Sequence, residues 1–202
     1  FNSGNRLSTT SPLKTVYATA DIEETIEDTF AIYDLPRFIQ TIGLFKDADL
    51  EFGTNHVRIN NGSNQRTDYY YTDASMVVAP PAKGVNVPEG KLDFDLTADN
   101  LESVVKAATV LQCPEIMFRG ADGIVSIEAV DSKNKGGDTF FLEVGETEHE
   151  FSIVISIDKM KLFSNEYNVS IATLGNGACL AHFKSDLVDY VIAAEANSTF
   201  KE

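Results

Sequence analysis

The chain is expected to be an α+β protein built from two copies of one antiparallel-sheet unit, each carrying a helix on one face. Three observations predict this. Alternating apolar patterns dominate the 202 residues, helical stripes are few, and four landmarks recur in the same order in both halves. Apolar residues make up 43% and aromatics 10%, enough for a packed core in one large domain or two smaller ones.

The strands come first. Phe151, Ile153, Ile155 and Ile157 point one way while Ser152, Val154 and Ser156 point the other, the period of two that marks a strand. Tyr167-Val169-Ile171, Val125-Ile127-Ala129 and Phe140-Leu142-Val144 repeat the habit. Gly120-Ala121-Asp122-Gly123, Gly136-Gly137 and Gly175-Asn176-Gly177 read as hairpin turns, and roughly twelve short strands are expected.

The helices follow. Leu101, Val104, Val105, Ala108 and Leu111 form one stripe over Ala98–Leu111, with Thr97 as N-cap and Pro114 as the stop. A shorter helix is expected after Asp34, with Pro36 in its first turn and Phe38, Ile39, Ile42 and Phe45 on its apolar face. A third, one or two turns long, is expected after Asp158 through Leu162. Between Met76 and Lys91 the regularity stops. That stretch holds three of the six prolines and reads as an extended connector.

The repeat rests on spacing. A strand ends at Asp34 in one half and at Asp158 in the other, and a helix follows each. A glycine turn comes 19 residues later at Gly53 and 17 later at Gly175. An Asp-Tyr pair comes 15 and 14 residues beyond that, at Asp68-Tyr69 and Asp189-Tyr190. The expected organisation is an N-terminal domain over 1–75, a connector over 76–91 and a C-terminal domain over 92–202. The second unit begins with the 98–111 helix and the first shows no counterpart, so a helix upstream of Phe1 is expected.

Charge narrows the function classes. There are 31 acids against 16 bases, a net charge of -15, which argues against nonspecific nucleic-acid binding over the whole surface but permits one basic lining. No apolar run approaches the roughly 20 residues of a membrane span. Cys113 and Cys179 are expected to be reduced and buried. The Asn-x-Ser/Thr triplets at Asn61, Asn168 and Asn197 are expected to be unmodified in a cytoplasmic protein.

Several stretches carry a family resemblance. Ala31-Ile32-Tyr33-Asp34-Leu35 followed by Phe38, Leu101 through Gln112, and above all Tyr190-Val-Ile-Ala-Ala-Glu-Ala-Asn-Ser-Thr199 resemble the sliding clamps of T-even bacteriophages and their relatives. The resemblance runs over nearly the whole chain, by pattern alone over 6–29 and 60–90. It implies the DNA-clamp fold: a homotrimeric ring of six similar domains, with sheets outside and helices lining a central hole. The ring would encircle double-stranded DNA, tether the replicative DNA polymerase for processive replication, and be opened by a separate ATP-dependent clamp loader. It implies no catalytic site and no cofactor, in the cytoplasm of an infected bacterial host.

The same resemblance places residues. DNA-facing candidates are Arg37, Lys46, Lys106, Lys159 and Lys161. Lys106 and Lys161 match basic positions of the family, while Arg37 and Lys46 rest on helix placement. Asp99 and Glu102 share the polar face of Lys106, so this lining is barely positive. A partner-peptide groove would use Val77, Val78 and Pro80 from the connector with Val191, Ala193 and Ala194 near the C-terminal end. A trimer interface would pair edge strands through Tyr69, Tyr71, Phe140 and Leu142, since aromatic edges left open invite aggregation.

Other chemistries find no support. Lys135-Gly136-Gly137 lacks the ending of a nucleotide-binding loop. His56, His149 and His182 lack partners at metal-ligand spacing. Asp21–Asp28 packs five acids into eight residues without the glycine of a calcium loop, and reads as a solvated edge. Two rival classes remain: a β-rich capsid or tail protein, which would not need the repeat, and a DNA mimic, which would array its acids along one face.

Overall fold

The computed structural model describes residues 1–81, 83–134 and 136–201. The strands are β1 (Gly4–Thr10), β2 (Val16–Ile26), β3 (Asp49–Phe52), β4 (His56–Asn60), β5 (Arg66–Tyr70), β6 (Leu92–Leu96) and β7 (Glu115–Ala121). They continue with β8 (Ile124–Val130), β9 (Phe140–Glu146), β10 (Phe151–Ser156), β11 (Tyr167–Thr173), β12 (Cys179–Lys184), β13 (Asp189–Ala193) and β14 (Thr199–Phe200). Helix α1 spans Leu35–Ile42 and α2 spans Ala98–Leu111. Two compact units result, one of residues 1–7 and 22–79, the other of 8–21 and 80–202. The tip of the β1–β2 hairpin thus goes with the second unit, because β2 pairs with β13 there.

In the first unit, antiparallel strands β3-β4-β5 lie in that order, with Leu50 opposite Ile59 and Val57 opposite Tyr69. Alternation along β4 buries Val57 and Ile59 completely and leaves their neighbours half-exposed. Phe30, Ile32 and Phe38 join them in a small core, against which Ile42, Phe45, Tyr69 and Tyr71 pack. Phe30 stacks with Tyr71 at 5.0 Å. Asp34 caps α1 as expected, its Oδ1 accepting from the Arg37 amide at 2.9 Å.

The second unit holds one larger core and two sheets, one of which takes in β1 and β2 only through Ser8–Thr10 and Val16–Asp21. One sheet runs β1-β2-β13-β12-β11-β6 and the other β14-β10-β7-β8-β9, and α2 packs on β7, β8 and β9. Leu101, Val104 and Ala108 of α2 are buried against Ile116, Phe118 and Ile127. Thr97 Oγ1 accepts from the Asn100 amide at 3.2 Å. Gln112, in the left-handed conformation at φ 56°, closes the helix before Pro114 is reached. One edge of the second sheet is covered by its own chain. β14 pairs with Phe151 and Ser152, the Glu195 amide donates to the Val154 carbonyl at 2.8 Å, and Ser198 Oγ accepts from the Val154 amide at 2.9 Å.

Several expectations need correction. Fourteen strands are seen among the described residues where roughly twelve were expected. Residues 30–33 are buried at Phe30, Ala31 and Ile32 but form no strand; Phe30 exchanges two backbone bonds with Phe1, and the Ala31 carbonyl accepts from the Thr72 amide. Helix α1 ends at Ile42, and Ile39 is 59% exposed rather than part of the apolar face. The helix after Asp158 is one 3-10 turn, Ile157–Lys159. Val154 is buried although it alternates with Phe151, Ile153 and Ile155. Gly120 lies inside β7, and the turn is Asp122-Gly123, both at positive φ. A side chain at Gly120 would collide with the Phe151 ring and the His149 carbonyl, so close packing requires glycine there. Lys135 lies outside the described residues, so its loop reading is not addressed; Gly137 closes a turn by donating to the Asn134 carbonyl at 3.0 Å.

Candidate functional site

Exposed cations are the first requirement for holding a polyanion. Lys106 is exposed in the middle of α2, with exposed Asp99 and Glu102 on the same helix. Arg37 is exposed in the first turn of α1 and, with Thr41, borders an open depression on β5 lined by Thr67, Asp68, Tyr69 and Tyr70. Lys46 is exposed but lies in the turns after α1 rather than on it. Lys161 is 81% exposed, its ammonium 3.7 Å from the equally exposed Asp158 carboxylate.

Lys159 behaves differently. Its ammonium sits 2.7 Å from Glu195 and donates to the Ala193 carbonyl at 2.9 Å, with the side chain 17% exposed. Its charge is spent within the second unit, tying the 3-10 turn to the segment after β13. Lys159, expected among the DNA-facing residues, thus has its ammonium engaged by Glu195 and the Ala193 carbonyl. Glu195, thirty-six residues further on, is the missed partner, and no local spacing rule marks such a pair.

The apolar candidates run from exposed to half-buried. Val78 is 66% exposed, Val77 and Pro80 are half-buried, and the chain from 77 to 91 holds no regular element among its described residues. Val191, Ala193 and Ala194 are half-buried in or just after β13, and Ala194 packs against the second core.

Both expected edge strands are edges. β5 is bonded only to β4, and β9 only to β8, among the described residues. Their side chains differ in direction, however. Tyr69 meets the Phe38 ring edge-on at 5.1 Å and donates to the Asp34 carbonyl at 3.2 Å. Tyr71 lies just past β5 and stacks in the first core, where burial pushes its phenol pKa up. Phe140 packs against the second core and Leu142 is half-buried. The aromatics left outward are Tyr70, 65% exposed, and Phe141, 54% exposed. The alternation of strand faces, applied to Tyr69-Tyr70-Tyr71 and Phe140-Phe141-Leu142, was the available signal for them.

The ionisable groups are arranged for structure. Arg58 holds Asp68 in a two-pronged bond, 2.8 Å from Nε and 3.2 Å from Nη2, which lowers the carboxyl pKa and raises that of the guanidinium. Burial raises the thiol pKa of Cys113 and Cys179, leaving them unreactive. Among the described residues, no group of three or more His, Cys, Asp or Glu could hold a metal ion, and no helix is long and apolar enough to cross a membrane.

Comparison with known proteins gives this geometry its context. A family described as "gp45 sliding clamp, C terminal" matches residues 93–196. A sliding clamp of Vibrio phage KVP40 is 30% identical over 203 residues, covering 97% of this chain and 90% of the relative. Among solved structures, the Helicobacter pylori beta clamp shares the fold with a TM-score of 0.69 at 13% identity, over 97% of this chain and 58% of that one. The A. fulgidus PCNA, described with the C-terminal region of FEN-1 bound, gives 0.65 at 16% identity, over 96% and 86%. The antiparallel sheets with two helices are the clamp fold, and the chain belongs to the gp45 family of bacteriophage sliding clamps.

Proposed function

We propose that three copies of the chain close into a ring around double-stranded DNA and tether the replicative DNA polymerase in the cytoplasm of an infected bacterium. The role of processivity factor, with no catalytic step of its own, comes with membership of the family. The observation that supports the ring is that β5 in one unit and β9 in the other each end a sheet, among the described residues, with an aromatic turned outward, Tyr70 and Phe141. A chain with two complementary edges joins head to tail, and such contacts either close or grow without limit. A capsid or tail role has no observation in its favour.

In this reading Arg37, Lys46, Lys106 and Lys161 supply the DNA-facing charge, and Lys159 braces the turn that presents Lys161. A closed ring holds DNA by topology, so a few phosphate contacts suffice; they carry no sequence preference and weaken with salt. The surplus acid elsewhere repels DNA. Val77, Val78, Pro80, Val191, Ala193 and Ala194 provide apolar surface for a client peptide. The PCNA described with the C-terminal region of FEN-1 is the precedent for such a ligand. Opening of the ring is assigned to an ATP-dependent clamp loader. The tandem organisation is part of the same proposal, supported by the matching elements after Asp34 and Asp158.

Sedimentation over a range of concentrations tests it. A species near three times 22.1 kDa, with the drag of an open ring and dissociation on dilution, is expected. That species should lengthen the products of the phage polymerase when its loader is supplied. A compact monomer at every concentration overturns the ring.

A further inference from the structure

The chain holds two Asn-Gly pairs, Asn61-Gly62 between β4 and β5 and Asn176-Gly177 between β11 and β12. Both glycines stand at positive φ, 70° and 83°. Glycine has no side chain to shield its amide nitrogen, and its backbone turns freely. That nitrogen can therefore swing onto the side-chain carbonyl carbon of the asparagine before it. In a folded protein the outcome depends on how firmly the turn holds the two groups.

The two turns are held differently. At Asn176 the main chain closes on itself. The Gly177 amide donates to the Leu174 carbonyl at 2.8 Å, and the Leu174 amide donates to the Ala178 carbonyl at 2.7 Å. The nitrogen that would attack is thus committed to the turn. The loop from Asn61 to Gln65 is tied by side chains instead. The Gly62 amide donates to the Asn60 side-chain oxygen at 3.0 Å, and the Gln65 amide donates to Ser63 Oγ at 3.3 Å. Gly62, Ser63, Asn64 and Gln65 are exposed, so water competes for each of these bonds. Asn61 Oδ1 accepts from the Ser63 hydroxyl at 2.6 Å and from the Ser63 amide at 3.3 Å. Both donors draw electrons from the Asn61 side-chain carbon and face the oxygen on which charge gathers when that carbon is attacked.

We propose that Asn61 is a site of spontaneous deamidation, converted by water to aspartate or isoaspartate well before Asn176. The Gly62 nitrogen gives its proton to hydroxide and bonds to Asn61 Cγ. The Cγ–Nδ2 bond breaks, and the side-chain nitrogen leaves with a proton as ammonia, which closes a cyclic imide. Water then opens the imide at one of its two carbonyl carbons. Breaking the new bond to Cγ restores the main chain and leaves an aspartate. Breaking the original peptide bond leaves an isoaspartate, whose main chain runs through Cγ. One water is consumed and one ammonia released, with nothing oxidised or reduced. Each event adds one negative charge to a chain already at -15. The aspartate keeps the Ser63 bonds and strengthens them by its charge, whereas the isoaspartate inserts a methylene into the main chain leading to β5. The reaction needs no enzyme, unlike glycosylation of the same triplet.

Incubation of the full chain at mildly alkaline pH, with samples digested over time, tests the assignment. Mass spectrometry reads the exchange of NH2 for OH in the two peptides that hold Asn61 and Asn176. Isoaspartate is told from aspartate by its resistance to a protease that cuts before aspartate. In the folded chain Asn61 should convert about tenfold faster than Asn176, the factor expected where two main-chain turn bonds must open first. In concentrated urea both turns are open and the two rates should converge. Ser63→Ala should slow Asn61 several-fold in the folded chain and leave Asn176 as it was. Conversion of Asn176 first or at the same rate in the folded chain overturns the assignment, and so does no conversion of Asn61 while it converts in urea. A difference that persists unchanged in urea belongs to the local sequence and overturns the role of the turns. A Ser63→Ala chain that converts as fast or faster overturns the part given to the hydroxyl.

Discussion

At the scale of single residues, what a side chain does was set by partners far away in sequence. Lys159 looked like any exposed lysine beside an acid until Glu195 and the Ala193 carbonyl took its ammonium. His182 is a similar case. Its side chain is 15% exposed on β12, and burial lowers its pKa; Asp189 at 3.8 Å pulls the other way and Lys184 adds to the lowering. The folded chain thus prefers the neutral ring more than the unfolded chain does. Its stabilising share is complete above the ordinary histidine pKa and is lost as the pH falls below it, because the unfolded chain takes up the proton first. Replacing His182 with Gln should shrink the fall in urea midpoint between about pH 7 and pH 5.5. An undiminished fall would assign that sensitivity to other groups. The positions of His182 and Asp189 were readable in the sequence, but their meeting required the β12–β13 register.

At the scale of elements, legibility followed how much of each element's stability is local. α2 was readable to the residue because its cap, its stripe and its length all lie within one stretch of chain. Thr97→Ala removes the hydroxyl that accepts from Asn100, so it should cost about 1 kcal/mol, measured by thermal unfolding, with the second core unchanged. A loss of only a few tenths would mean solvent replaces the cap. The segment after Asp158 was misread for the converse reason. Its pattern suits a helix, yet the Phe163 carbonyl is taken by Tyr167 Oη at 2.7 Å and its amide by Tyr190, so side chains of other strands satisfy the backbone in place of further turns. Gly120 shows the same limit. In sequence it paired with Gly123 as turn punctuation, and the Phe151 ring that needs its empty face belongs to β10.

For the whole molecule, the α+β class and the clamp fold were legible because repeat spacing and the Tyr190–Thr199 stretch survive in the chain itself. The direction of the edge aromatics was not, since it depends on which side of each strand meets its own core. That direction decides the effect of charge at the joint. Tyr71 stacks on Phe30 at the half-buried edge of a small core, so Tyr71→Lys strips an aromatic ring from that core and should lower the melting temperature of the first unit. Phe141 contributes outward surface, so Phe141→Lys should leave the dilute monomer melting as the unsubstituted chain does. On the ring proposal, the same variant should sediment as a monomer at concentrations where the unsubstituted chain is expected to be trimeric. The two variants carry the same charge change, one just past β5 against the first core and the other on the outward face of β9. If Phe141→Lys keeps the assembled mass while Tyr71→Lys loses its mass without unfolding, the outward faces of β5 and β9 are solvent surface, and the joint lies on another edge.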